Sequence, residues 1–356
     1  MKVVDVGRSL ITVTALLAVG PVYAHHSALG TYDYSKTIKL TGTVVKYEMH
    51  SPHVHIMMDV KNPAGGVEHW IVESGAVGSM LRMGLSQDKV KPGDTITVIA
   101  STAYTPGRHF VWLTQVTTAD GTVIGGATFE QLIKADQTKP VTSLAHAGET
   151  GIKKLAGRWE EHFDLKRYDK PKSPLPLTAA AIEAEKSFDP RHSPGLTCAP
   201  PSLPWILDMP YLYELKVGDN EVILHHEIND IVRTVPLDGK PHKADKAGFF
   251  GVVSGHVEGG TVVVDSSGYP ASAWGLAAAG TALAGQANIP SSTQKRVTER
   301  YSVSADGNTL TIAYTVSDPV YLTKRYSGTV KLARLPDNTP MDFHCDLGSA
   351  NAYLKK

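Results

Sequence analysis

Thr309-Leu310-Thr311-Ile312-Ala313-Tyr314-Thr315-Val316 decides the fold of the larger part of this chain. Leu310, Ile312, Tyr314 and Val316 recur at every second position, with Thr309, Thr311 and Thr315 between them. Side chains alternate across a strand, so this period of two predicts a strand with one buried face and one wetted face. Ala305-Asp306-Gly307-Asn308 precedes it as a turn signal, and an apolar run over 297–303 precedes the turn. Together they predict a hairpin. Working outward, the same signals predict strands over 211–217, 222–228, 232–237, 252–258, 261–265 and 327–335, with Asp219-Asn220 as another hairpin turn. A series of strands with no helix between them predicts a lipocalin-like antiparallel barrel, placed at residues 157–350.

The first part of the chain carries shorter strands rich in Val, Ile and Thr, over 38–47, 54–60, 68–73, 95–101 and 111–118. Asn62-Pro63-Ala64-Gly65-Gly66 and Lys91-Pro92-Gly93-Asp94 supply turns, and a short helix is predicted over 76–83. Five strands with one helix predict an OB-like barrel over 25–124. Residues 125–156 lose the strand pattern and read as a linker, with a helix over 129–135. A second helix, over 179–188, starts at Thr178 as its N-cap. The predicted fold class is mainly β: a small OB-like barrel followed by a larger lipocalin-like antiparallel barrel.

Residues 1–24 have the layout of a secretory signal peptide. Lys2 and Arg8 give a positive start, residues 9–22 are apolar, and Val22-Tyr23-Ala24 fits the small-x-small cleavage pattern. The mature chain would begin at His25, in the periplasm or secreted. The apolar run of roughly 12–14 residues is shorter than the roughly 20 that a spanning helix needs. No later stretch approaches that length, so no transmembrane segment is expected in the mature chain; a retained N-terminal anchor is the alternative. The 35 basic residues balance the 35 acidic ones, and no basic cluster stands out. Nucleic acid is therefore not an expected partner, because its binding needs massed Lys and Arg.

Cys198 and Cys345 are the only cysteines. In an oxidising compartment they are expected to pair, the rival being a reactive or metal-binding thiol. Such a bridge closes a loop of about 150 residues, worth up to roughly 5 kcal/mol in the chain-entropy model.

The stretch richest in chemistry is Met49-His50-Ser51-Pro52-His53-Val54-His55-Ile56-Met57-Met58-Asp59. On a strand, Val54, Ile56 and Met58 face the core, while His53, His55, Met57 and Asp59 face the other way. Two imidazoles on one face can converge on one ion, and a thioether beyond them is a soft ligand that favours copper. After cleavage, the amine and ring of His25, with His26 beside it, add a nitrogen-rich cluster. Copper heads the divalent affinity order for such donors. The expected metal set is thus His25, His26, His53, His55 and Met57, with copper as the cofactor. A solvated sheet face and a loose tail are the alternative.

Ala24-His25-His26-Ser27, Tyr32-Asp33, Thr41-Gly42-Thr43-Val44, Pro52-His53, Trp70-Ile71-Val72-Glu73, Arg82-Met83-Gly84 and Pro92-Gly93-Asp94 carry a resemblance. Over roughly residues 24–122 the chain resembles an exported proteobacterial family of unknown function, with an A-H-H-S start and an N-P-H motif. Ser51 stands where that family usually has Asn, and Met49 where it has Trp. Roughly residues 155–346 resemble a paralogous group of exported, uncharacterised β-barrel proteins. Gly157-Arg158-Trp159, Cys198-Ala199-Pro200-Pro201, Glu258-Gly259-Gly260-Thr261 and Glu299-Arg300-Tyr301 carry that likeness. That group usually has Pro-His-Ser where this chain reads Pro290-Ser291-Ser292. Neither resemblance implies an activity.

In the second barrel, His226 shares a face with Val222, Leu224 and Ile228 and should point inward. His226 and Arg233, closed over by the Gly- and Ala-rich segment 268–294 around Trp274, are the expected small-molecule site. The function this supports is a periplasmic binding protein, with a metal site in the first domain and a small-molecule cavity in the second. A secreted lyase, isomerase or hydrolase is the alternative, with His226, Arg233, Asp238 and His256 as acid–base and anchoring groups. No nucleophile elbow or phosphate-binding loop is present.

Overall fold

The computed structural model describes residues 32–104, 106–126, 148–161, 174–188, 197–209, 211–277, 288–339 and 341–345. The predicted helix over 129–135 lies outside them, as do the expected signal peptide, His25 and His26.

The first barrel is built from β1 (Tyr32–Glu48), β2 (His55–Lys61), β3 (Val67–Glu73), β4 (Thr95–Ala103) and β5 (Phe110–Thr117). A short β6 (Val123–Gly125) extends its edge. β1 pairs with β4 from Tyr32↔Ala103 to Thr43↔Thr95, and with β2 from Thr43↔Asp59 to Glu48↔His55. One long strand can serve both neighbours because Gly42 lets them close up where it changes partner. A Cβ there would stand 2.3 Å from the carbonyl oxygen of Asp59. The parallel pairing of β3 with β5, from Ile71↔Phe110 to Glu73↔Trp112, closes the ring in the order β1-β2-β3-β5-β4. Helix α1 (Val77–Met83) sits between β3 and β4 and buries Val77 and Met80 against Val54, Ile56 and Met58. This is the order expected of an OB-like barrel.

The second barrel is a nearly closed ring of ten antiparallel strands. It contains β7 (Gly157–Glu161), β8 (Tyr213–Val217), β9 (Glu221–His226), β10 (Ile231–Pro236) and β11 (His242–Lys243). It continues through β12 (Val252–Glu258), β13 (Thr261–Ser267), β16 (Arg296–Val303), β17 (Thr309–Ser317) and β18 (Tyr326–Leu335). β7 joins β8 to β18, so the first strand of the barrel also seals the last. At the remaining seam, Thr234 N–H donates to Ala244 O (3.0 Å) and Gly239 N–H to Gly255 O (2.9 Å). Gly255 permits this approach, since a Cβ there would lie 2.5 Å from the Val235 side chain. The stretch around Leu310 forms β17, whose burial alternates from end to end as its period of two predicts.

Several boundaries differ from expectation. β7 and β11 were not among the expected strands: Arg158 and Glu160 flank the apolar Trp159 with charge, and β11 has two residues. Within the expected linker, Gly151–Leu155 forms a 3-10 turn whose Leu155 is fully buried in the second core. Within segment 268–294, the strands β14 (Ser272–Ala277) and β15 (Ile289–Ser291) pair antiparallel, and their Leu276, Ala277 and Ile289 join the core. Helix α2 (Ala179–Lys186) packs near β15 and is capped as expected, Ala181 N–H donating to Thr178 Oγ1. No helix among the described residues is long and apolar enough to cross a membrane.

Cys198 and Cys345 are disulfide-bonded, with Cα atoms 5.9 Å apart. The bridge fixes the segment 341–345, which runs beside the loop joining β1 to β2. Ser51 N–H donates to Asp342 O (2.8 Å), and His344 N–H donates to Ser51 O (2.7 Å). Phe343 packs on the second core, edge-on to Tyr211. The loop 49–54 is therefore held by both barrels.

Candidate metal centre

Glu48 ends β1, His55 begins β2, and the two are cross-strand partners in register. Directly opposed residues on one face have neighbouring Cβ atoms, so carboxylate and imidazole meet without any help from the loop. Met49 and Val54 are buried at the ends of the loop. Between these anchors, His50 turns back over the same end of the hairpin. Glu48, His50 and His55 each offer a ligand atom, and all three atoms lie within 4.8 Å of one another.

All three residues are half-buried. The Nδ1 of His50 is buried and has no hydrogen-bond partner among the described residues. A buried ring nitrogen in that condition is open to a partner from outside the chain, an ion or a water, because burying a polar atom unpaired is costly. The Glu48 carboxyl is held below its ordinary range, first by the Lys46 ammonium that pairs with it, and further by His50 and His55. It is thus ready to ligate as the carboxylate. Two imidazoles and one carboxylate suit borderline divalent ions. Met57 follows His55 by two positions on the same half-buried face of β2.

His53 does not join this group. β2 begins at His55, so the alternation that would align the two rings does not reach back to His53. Its Nδ1–H donates instead to Ser74 O (2.9 Å) and lies 3.2 Å from Glu73 Oε1. Tyr32 OH donates to the other Glu73 oxygen, and the His53 ring meets Trp112 edge-on. Burial holds the His53 imidazolium form down, partly offset by the Ser74 carbonyl.

In the second barrel, His226 points inward beside Arg233, as β9's alternation predicts. Arg233 grips Glu299 with both terminal nitrogens (2.7 and 2.9 Å) and donates to Tyr301 OH (3.1 Å) and His226 Nε2 (3.4 Å). Burial first, then Arg233, drives the His226 pKa well below its usual value, so the ring is neutral. These residues are buried on the inward side of the barrel with Tyr213, Tyr269 and Phe250, and His226 Nδ1, Arg233 Nε and Tyr269 OH have no hydrogen-bond partner among the described residues. On the outer side, an open hollow of about 220 Å³ lies over β16, β17 and β18, lined by residues that include Thr298, Arg300, Thr315, Ser327 and Thr329.

The four groups of the enzyme reading are not brought together. Asp238 is exposed in the turn after β10 and pairs with His242 (3.0 Å). His256 alternates outward on β12, opposite to the inward Gly255, and pairs with Glu258 (2.8 Å). Trp274 is half-buried on β14.

The sequence alone missed Glu48 and His50 as candidate ligands, because their proximity to His55 depends on hairpin register and loop path. It also missed Glu299, whose charge hides on an inward position of β16. Another unexpected site joins Lys295 to Ser202 Oγ (2.6 Å) and Leu203 O (2.7 Å). Lys295 is fully buried over the Tyr269 ring, and desolvation lowers its pKa to about 7.

No curated protein and no solved structure matches the chain. Residues 14–109, covering most of the first barrel and the Glu48, His50 and His55 group, match the model of a family described as a family of unknown function, DUF6152.

Proposed function

We propose that this chain is an exported, periplasmic metal-binding protein whose first barrel holds one copper ion through Glu48, His50 and His55. The observation that carries this is the convergence of one ligand atom each from Glu48, His50 and His55 within 4.8 Å of one another, at a His50 ring whose Nδ1 is buried without a hydrogen-bond partner among the described residues. Copper is favoured because it heads the divalent affinity order at nitrogen and oxygen donors, and because Met57 supplies a thioether on the same strand face. The amine and ring of His25, with His26, serve as further nitrogen donors once residues 1–24 are removed. The second barrel holds the 49–54 loop in place through the segment 341–345 and Glu227, and His226 and Arg233 in its interior remain the proposed small-molecule site.

The test is calorimetric titration of the full mature chain with Cu(II) and with Zn(II). One equivalent should bind, with Cu(II) tighter than Zn(II). His50→Ala and His55→Ala should each weaken binding by about tenfold or more, and the double variant should abolish it. Equal affinity in all four proteins would overturn the proposal.

A further inference from the structure

We propose that His344, carried on the segment after β18, is a further ligand of this ion, so that the metal joins the second barrel to the first. The inference rests on the metal reading of Glu48, His50 and His55. Three observations lead to it, and all concern how His344 is delivered rather than its chemistry alone.

First, the rings of His50 and His344 stand with centroids 5.4 Å apart and planes tilted by 49°. Two imidazoles bound to one tetrahedral ion, with metal–nitrogen distances of about 2.0–2.1 Å, have centroids roughly 5 Å apart. The His50–His55 centroid distance is 6.1 Å, so His50 sits between two rings, each near that spacing.

Second, the backbone under His344 is fixed. Its N–H donates to Ser51 O, one residue from His50, and the neighbouring Ser51 N–H donates to Asp342 O. Phe343 is packed on the second core, and Cys345 is bonded to Cys198. A ring whose main chain is held on both sides loses little freedom when it binds, which favours its recruitment.

Third, the side chain has room to turn. The His344 side chain is 75% exposed, and its Nδ1 lies 3.9 Å from the exposed Asp342 carboxylate, a contact too long to restrain it. The movement the inference needs is a rotation of this ring about its fixed backbone, toward the His50 ring 5.4 Å away and the group that it forms with Glu48 and His55. Three imidazoles and one carboxylate from the folded barrels then face the ion. Occupancy of the site then becomes a clamp: the ion would be held by β1, β2 and the loop between them on one side, and by the segment 341–345 on the other.

The experiment titrates the full mature chain and its His344→Ala variant with Cu(II) and Zn(II), and follows backbone hydrogen exchange at Ser51 and His344 with and without metal. His344 is exposed, so its replacement should leave the fold intact, which far-ultraviolet circular dichroism checks. The expected result is an affinity about tenfold or more weaker in the variant, with metal slowing exchange at both amides in the unchanged chain only. If the variant binds as tightly as the unchanged chain and exchange responds equally in both, the inference is overturned while the three-ligand site stands. If the unchanged chain binds neither ion, this inference and the metal reading fall together.

Discussion

The hydroxyl of Ser51, in the β1–β2 loop, donates at 2.7 Å to Oε1 of Glu227, 176 residues further along the chain. Leu212 N–H donates to the other oxygen at 2.9 Å, and Glu227 is 1% exposed. This carboxyl is a buried contact through which the loop 49–54 leans on the second barrel. Burial raises its pKa to about 7, with the Asp342 charge adding to the rise, while the Leu212 amide and Ser51 hydroxyl restrain it.

The first prediction concerns that contact. A carboxyl raised from 4.5 to about 7 binds more protons in the folded state across that window, so its contribution to stability is fully present below pH 4.5 and is lost as pH rises through 7. Ser51→Ala removes one donor and should push the Glu227 midpoint higher still. It should also cost about 1–3 kcal/mol at neutral pH, because a buried acceptor loses its partner. Carboxyl-carbon NMR titration and urea unfolding at pH 5 and pH 8 measure both effects. A midpoint near the usual 4.5 would show that Glu227 is not buried as described.

Lys295 gives the opposite sign in the alkaline range. Its folded pKa of about 7 lies below its ordinary 10.5, so the unfolded chain binds the extra proton between these values. Stability should therefore rise with pH from about 7 to 10.5, by about 1 kcal/mol per unit from this group, and the contribution should be lost as pH falls through 7. Lys295→Met should flatten that rise. An unchanged slope in the variant would refute the assignment.

Arg233 and Glu299 are both fully buried and joined by two hydrogen bonds. Replacing either one strands a charge, at about 3–5 kcal/mol. Glu299→Leu or Arg233→Met alone should therefore lower stability far more than expected from half of the double replacement. A double-mutant cycle by urea denaturation checks this; additive losses would mean that the pair is not coupled.

The strand periods made most of the architecture legible. Leu310, Ile312, Tyr314 and Val316 locate β17, and Ile56, Met58 and Val60 locate β2, because burial on one side leaves a period of two in the sequence. Thr178 announced its helix because a cap is a local device. The pairing of Cys198 with Cys345 followed from there being only two cysteines. The candidate site was less legible, for a physical reason. Glu48 faces His55 only by virtue of cross-strand register, and His50 joins them only through the path of a loop pinned by Phe343 and Ser51. His344 comes from nearly three hundred residues away. His53, which spacing favoured, lies just before the strand begins and turns to Ser74 instead. In the second barrel, the inward place of His226 was readable. What Arg233 holds was not, because Glu299 sits in an otherwise ordinary strand.

The most direct test of the proposed metal centre is pulsed electron paramagnetic resonance on the full chain, without residues 1–24, loaded with one equivalent of Cu(II). The technique reports imidazole nitrogens bound to the ion, independently of affinity. The account predicts at least two bound imidazoles, with one fewer in His50→Ala and one fewer in His55→Ala, while His242→Ala, remote from the site in sequence and paired to Asp238, leaves the count unchanged. A spectrum without imidazole coupling, or one identical in the unchanged chain and in both ligand variants, would contradict it.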